Sequence, residues 1–116
     1  MKREFIYLQN FDKVCKALGL PDDAQRDLES MILERPDIGE VVQGAGGLRK
    51  ARFGLNNKGK SGGMRVLYVD FESHRKTYFL LAYPKSESET ITSSQKQAFR
   101  NKIDTLLNEL REKGSK

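Results

Sequence analysis

The stretch that decides how this chain is interpreted is residues 46–65, GGLRKARFGLNNKGKSGGMR. It carries the cations Arg49, Lys50, Arg52, Lys58, Lys60 and Arg65. No acidic residue occurs between Glu40 and Asp70, although the whole chain contains 16 Asp and Glu residues. Because like charges repel, such a cluster indicates an anionic partner, and a phosphate-bearing one is the usual case.

The composition of the chain fits one small domain. With 116 residues and 37% hydrophobic residues, there is enough apolar material for a single core, and we predict one domain over residues 1–116. The net charge of +5 favours nucleic acid, an acidic protein or a membrane surface as partner. The sequence shows no signal peptide, no apolar run near the roughly 20 residues that span a bilayer, and a lone Cys15. We therefore expect a cytoplasmic protein that does not enter a membrane.

Apolar periodicity predicts the order of the elements. Residues 5–8 are typical of a strand, and residues 11–18 and 21–35 are typical of two helices that form a hairpin. Three antiparallel strands follow at 48–53, 64–71 and 77–83, with the second at the centre of the sheet. The connection at 36–47 should bury Val41 and Val42. The predicted fold is α+β: a small, twisted, mainly antiparallel sheet with an N-terminal helical hairpin and a C-terminal helix.

The last helix is predicted to begin at Ser94, because Ser94 and Gln97 have the spacing of a capping box. Phe99, Ile103, Leu106, Leu107 and Leu110 mark its buried stripe, and the charged tail at 111–116 should fray.

Two familiar catalytic patterns in this sequence do not indicate an active site. His74 is the only histidine and lies in a charged turn, which favours a surface role and excludes a histidine pair. Residues 54–61 meet the phosphate-loop pattern G-x-x-x-x-G-K-S, but a strand follows them where that motif needs a helix. Cysteine and histidine offer no metal-ligand spacing, so we expect no metal and no cofactor.

The cations on the predicted strands remain as the candidate site. Lys50 and Arg52 alternate onto one face, Arg65 lies on the partner strand, and Lys85 follows the next strand. Such a cluster can hold a phosphate and stabilise the extra negative charge of a phosphorane-like transition state. RNA supplies its own 2′-OH as nucleophile, and a lysine can accept a proton where neighbouring cations lower its pKa. The same cations could equally serve plain RNA or DNA binding.

Three segments together resemble a known family. GGLRKAR at 46–52, GGMRVLY at 62–68 and YFLLAYPKSE at 78–87 are similar to the RelE/ParE superfamily of bacterial toxins. The approach DIGEVVQGAGGLRK at 37–50 is typical of its HigB-type, RelE-like branch. The resemblance spans nearly the whole chain and implies a compact fold like that of the microbial ribonucleases.

The resemblance also implies a function and a site. It implies a toxin of a type II toxin–antitoxin system that cleaves messenger RNA in the ribosomal decoding site without metal, leaving a 2′,3′-cyclic phosphate. Its partners would be the ribosome with bound mRNA and a cognate antitoxin, often with a DNA-binding helix-turn-helix. Lys50 would be the proton acceptor, Arg52 and Arg65 would hold the phosphate, and Lys85 is the next basic position. Arg49, Lys58, Lys60 and Tyr83 are expected to contact RNA or the ribosome.

The sequence departs from that family pattern in one respect and leaves two other functions open. Thr92 falls where some members carry a C-terminal tyrosine, a role that Tyr83 could fill only in part. One alternative is a ParE-like inhibitor that binds DNA gyrase and cuts nothing. The other is a non-enzymatic module that binds RNA or the ribosome.

Overall fold

The computed structural model describes residues 3–17, 22–54, 64–84 and 91–114 of the chain. Over these ranges the order of elements is the predicted one, with one additional short strand. The strands are β1 (Glu4–Tyr7), β2 (Glu40–Val41), β3 (Arg49–Phe53), β4 (Met64–Phe71) and β5 (Lys76–Pro84), and the helices are α1 (Gln9–Ala17), α2 (Asp22–Glu34) and α3 (Ser93–Gly114).

The five strands form one mixed sheet in the order β1-β5-β4-β3-β2. Strand β1 runs parallel to β5, and the other neighbours are antiparallel. β4 occupies the middle, as its nearly continuous apolar sequence predicted, because a strand covered on both faces needs apolar residues at every position. The register between β4 and β5 shifts after Leu67, which pairs with Leu81, while Tyr68 pairs with Phe79.

Helices cover both faces of the sheet. On one face α1 and α2 pack a cluster that includes Phe11, Cys15, Leu28 and Ile32 against the sheet. On the other face α3 contributes Ile103, Leu106 and Leu110, which pack with Leu48, Leu67 and Val69. Each large apolar side chain removed from water in this way contributes about 1.5–3 kcal/mol. The α+β fold and the predicted helix stripes are confirmed.

Three local predictions differ from the structure. Strand β2 lies within the segment predicted as a connection, and its Val41 is 52% exposed, so the prediction that Val41 is buried was wrong. Val42 is partly buried against the α3 side of the core, as predicted. Helix α3 begins one residue before Ser94, and Thr92 is its cap: Gln95 N–H donates to Thr92 Oγ1 and Thr92 N–H to Gln95 Oε1. The box has the predicted spacing but starts two residues earlier than predicted.

Helix α3 continues to Gly114, so it includes most of the tail for which fraying was predicted. Within the described ranges, no helix is both long and apolar enough to cross a bilayer.

Candidate functional site

Three cations meet on the α3 face of the sheet. Side chains alternate along β3, and Ala51 and Phe53 are buried against the helical hairpin, so Lys50 and Arg52 project to the opposite side. Arg52 pairs directly with Arg65 across β3 and β4. The structure therefore brings together the three strand cations that the sequence singled out. They line a pocket of about 380 Å³ together with Ile38 and Glu40.

The pairing of Arg52 with Arg65 places two cations side by side in this pocket. Directly opposed residues of an antiparallel pair have Cα atoms about 4.5–5.5 Å apart. Like charges at directly opposed positions destabilise a strand pair. Among the described residues, one carboxylate and three cations line the pocket. A bound phosphate would lower the repulsion and could accept forked hydrogen bonds from both guanidinium groups.

Glu40 is a site residue that the sequence analysis missed. It lies on β2 directly opposite Lys50 on β3 and lines the same pocket. A carboxylate at this point can orient the Lys50 ammonium group or accept a proton itself. The signal in the sequence was its position as the last acidic residue before the acid-free stretch.

The turn that leads into β2 is held by hydrogen bonds from the sheet. The Tyr68 hydroxyl donates to the Pro36 carbonyl at 2.8 Å and accepts the Gly39 N–H at 3.0 Å. The Arg49 guanidinium donates to the carbonyl oxygens of Gly39, at 2.7 Å, and Asp37, at 3.3 Å. Burial raises the pKa of Tyr68, which keeps its hydroxyl protonated as a donor.

This arrangement gives Arg49 a structural use and requires a glycine at position 39. A Cβ on Gly39 would lie 2.9 Å from Tyr68 Cε1, so a larger residue would displace the turn. Arg49 lies on the other face of β3 from Lys50, and its contact with RNA stays a prediction.

The remaining predicted residues are buried or lie outside the described ranges. Tyr83 pairs with Arg65 across β4 and β5, but it is only 7% exposed within the core under α3. Lys58, Lys60 and Lys85 lie outside the described residues, so their roles stay predictions. His74 lies in the 3₁₀ turn Glu72–His74, in the charged turn where the sequence placed it. Within the described part of the chain, no group of His, Cys, Asp and Glu could hold a metal ion.

The fold and pocket together describe an α+β protein with three cations clustered on one face of its sheet. A sequence model described as "RelE toxin of RelE / RelB toxin-antitoxin system" matches residues 6–114. The chain belongs to this family of toxins, which confirms the family resemblance found in the sequence and implies an antitoxin as partner. Among solved structures, the free state of a mutant E. coli toxin RelE matches with a TM-score of 0.49 and 17% identity. That match covers 89% of this chain and 98% of the other.

Proposed function

We propose that this toxin is a ribosome-dependent endoribonuclease that cleaves translated messenger RNA and so stops translation. The observation that carries the proposal is the convergence of Lys50, Arg52 and Arg65 in one pocket with Glu40 among them. A site that only bound RNA would need the cations alone. Here a potential proton acceptor also lies beside the phosphate-binding groups.

We propose the following reaction at this site. The 2′ oxygen of one nucleotide forms a bond to the neighbouring phosphorus, and the bond from phosphorus to the 5′ oxygen of the next nucleotide breaks. The products are a 2′,3′-cyclic phosphate and a free 5′-OH. Arg52 and Arg65 bind the phosphate oxygens, whose negative charge increases as the fifth bond forms. One preorganised donor of this kind typically contributes about 3–4 kcal/mol to transition-state stabilisation.

Two residues are candidates to accept the proton of the 2′-OH. Lys50 is the acceptor implied by the family resemblance, and Glu40 is its partner across β2 and β3. At neutral pH a carboxylate in water is ionised and able to accept a proton, whereas a lysine in water is already protonated. We assign proton removal to this pair. Water or Lys85 returns a proton to the departing 5′ oxygen.

The experiment that tests this function is induction of the protein in cells, with 5′ ends mapped on a translated message. We expect new ends inside codons of translated regions, and pulse labelling should show protein synthesis falling before DNA synthesis. If DNA synthesis falls first and messages stay intact, the protein acts as a gyrase inhibitor. If translation stops without new 5′ ends, it is a non-enzymatic ribosome-binding module.

A second experiment addresses the antitoxin. Co-expression of the product of a neighbouring gene should restore growth, because the cationic pocket has to be neutralised while the cell divides normally. If neither neighbouring gene restores growth, the assignment to a toxin–antitoxin pair fails for this chain.

A further inference from the structure

The carboxylate of the cationic pocket belongs to a very short strand. Glu40 lies on β2, whose two residues pair with β3 as Glu40 with Lys50 and Val41 with Arg49. In the described sheet β2 lies at the edge, beside β3 alone. Ordering a chain segment costs conformational entropy, and two residue pairs offer few hydrogen bonds to offset that cost. The position of Glu40 therefore depends on contacts outside the strand pairing.

Those contacts come from the opposite face of the sheet. Tyr68 is buried on the side of the helical hairpin, and Arg49, its partner across β3 and β4, projects to the same side. Between them they bind both backbone polar groups of Gly39, because Tyr68 accepts the N–H and Arg49 donates to the carbonyl. The same two side chains also donate to the carbonyl oxygens of Pro36 and Asp37. Arg49 and Tyr68 thus form a clamp on residues 36–39.

The packing at Gly39 transmits this clamp to the pocket. Gly39 is buried, and a Cβ there would lie 2.9 Å from Tyr68 Cε1 and 3.1 Å from Arg49 Cβ. Its backbone therefore rests directly on the two clamp residues. The neighbours on either side, Ile38 and Glu40, are exposed and line the pocket. The segment turns Gly39 towards the clamp and its two neighbours towards the phosphate site.

We propose that Arg49 is a positioning residue of the nuclease, which acts by placing the Glu40 carboxylate in the pocket. Together with Tyr68 it holds residues 36–39 on the sheet, and Glu40 follows directly on this segment. The inference rests on the proposed function, because it concerns how the pair that removes the 2′-OH proton is held. The hydrogen bonds of Arg49 to two carbonyl oxygens direct its guanidinium to the protein's own backbone rather than to RNA.

The first test separates rate from affinity at Arg49. Arg49→Met removes the guanidinium and keeps an unbranched side chain, whereas Arg49→Lys keeps the charge without the planar fork of donors. Single-turnover cleavage on saturating programmed ribosomes measures the rate, and ribosome binding is titrated separately at several salt concentrations. A displacement of about 1 Å near the chemistry can cost about 100-fold in rate.

We therefore expect Arg49→Met to cleave about 10- to 100-fold more slowly, and Arg49→Lys to recover part of the rate. The matched control is Arg26→Met, which removes one positive charge at an exposed α2 position. It should cleave at the wild-type rate. Any loss of ribosome affinity in Arg49→Met should be no larger than in this control.

The second test asks whether Arg49 acts through Glu40. In a Glu40→Gln background, Arg49→Met should change the rate by no more than about twofold, because the group that it positions is gone. A residue that served stability alone would act equally in both backgrounds. Amide hydrogen exchange at residues 38–40 should be faster in Arg49→Met than in the wild type, because the segment opens more often without the clamp.

Gly39→Ala is an independent variant that leaves every charge in place. Its Cβ would push the segment away from Tyr68, so we expect slower cleavage with ribosome binding unchanged. Thermal unfolding shows which variants are folded at the assay temperature. Should Arg49→Met fail to fold, Arg49→Lys and Gly39→Ala decide the question in its place.

The contrary outcomes are distinct. Wild-type rates in Arg49→Met and Gly39→Ala overturn the positioning role and leave the nuclease intact. Weaker and less salt-dependent ribosome binding in Arg49→Met, with an unchanged rate, overturns it in favour of an RNA contact. Equal rate losses in the wild-type and Glu40→Gln backgrounds show that Arg49 does not act through Glu40. A wild-type protein that cuts no message overturns the proposed nuclease and the positioning role together.

Discussion

At the scale of single residues, Arg65 is the clearest test of the phosphate site. It is half-buried on a central strand and pairs with Arg52, so the sheet fixes its backbone beside that residue. We expect Arg65→Ala to lower single-turnover cleavage on saturating programmed ribosomes about 100-fold, which corresponds to the loss of about 3 kcal/mol of transition-state stabilisation. Arg65→Lys should recover only part of the rate, because lysine lacks the forked donors.

The control for this prediction is Arg26→Ala. Arg26 is an exposed α2 residue whose side chain is 80% accessible, so the variant removes one positive charge away from the pocket. It should cleave at the wild-type rate. If Arg65→Ala also cuts near the wild-type rate once ribosomes saturate, Arg65 is not catalytic.

Glu40 and Lys50 can be separated by their effects on rate and affinity. Glu40→Gln removes the only carboxylate that lines the pocket in the described residues while keeping its shape. If Glu40 accepts the proton, cleavage should fall by about 10²–10⁴-fold. Binding of the message should stay the same or tighten, because a negative charge has left the site. Cleavage by Glu40→Gln within a few-fold of wild type, together with a large loss in Lys50→Met, would identify Lys50 as the acceptor.

At the scale of elements, Tyr68 connects β4 to the turn that leads into β2. Tyr68→Phe removes both hydroxyl contacts, to Pro36 and Gly39, and leaves the Gly39 N–H without its partner. We expect a loss of about 1–3 kcal/mol in the free energy of unfolding, measured by urea titration. Tyr78→Phe is the control: Tyr78 is also buried, but its hydroxyl makes no hydrogen bond within the described residues. Equal losses in the two variants would show that the contacts to the turn contribute nothing.

The stability difference between wild type and Tyr68→Phe should also depend on pH. Burial raises the pKa of Tyr68 in the folded state above the value of about 10 in the unfolded chain. The neutral phenol therefore stabilises the fold fully below about pH 10, and this contribution is lost as pH rises towards the higher folded value. Urea titrations from pH 8 to 11 should show the difference narrowing at the alkaline end.

The start of α3 gives a prediction about helix capping. Thr92 and Gln95 exchange hydrogen bonds there, so Thr92→Ala should destabilise the protein by about 1 kcal/mol. Ser94→Ala should cost less, since Ser94 lies inside the helix and its hydroxyl hydrogen-bonds with the Thr92 hydroxyl rather than capping a backbone N–H in the described residues. Thermal unfolding of the two variants measures the difference. A larger loss of stability in Ser94→Ala than in Thr92→Ala would support the capping box at Ser94 that the sequence predicted.

How far the sequence predicts these elements depends on how much periodicity each one contains. In the helices and the central strand, apolar residues recur over several turns or alternations, so the sequence pattern predicts these elements. Strand β2 has two residues and no period, so it could not be recognised. Val41 looked like a core residue by type, but it lies at the sheet edge, which only the pairing of β2 with β3 reveals.

The sequence also predicted one part of the candidate site and not the rest. Alternation along β3 placed Lys50 and Arg52 on one face without any knowledge of the fold. Two further facts required the three-dimensional register. Glu40 stands opposite Lys50, and Arg49 is turned toward the carbonyl oxygens of the 36–39 segment. Neither follows from spacing along the chain.

At the scale of the whole molecule, the net charge of +5 should make ribosome binding sensitive to salt. Lys58 and Lys60 are predicted to add long-range attraction to ribosomal RNA rather than chemistry. Lys58→Ala should therefore weaken ribosome binding modestly. The slope of the log binding constant against log salt concentration should become shallower by the amount expected for about one phosphate contact. Its cleavage rate at saturating ribosomes should stay at the wild-type level. A large loss of that rate would place Lys58 among the catalytic groups.

The parallel pairing of β1 with β5 constrains how the protein can be made. Glu4 of the first strand pairs with Lys76, 72 residues further along the chain. At a synthesis rate of about 5–20 residues per second, that interval lasts roughly 4–14 s. Strands β3 and β4 can pair locally during this time, but β1 has no neighbour to join, and α3 is made after β5. Folding of the complete three-layer domain therefore has to wait until β5 and then α3 have been synthesised.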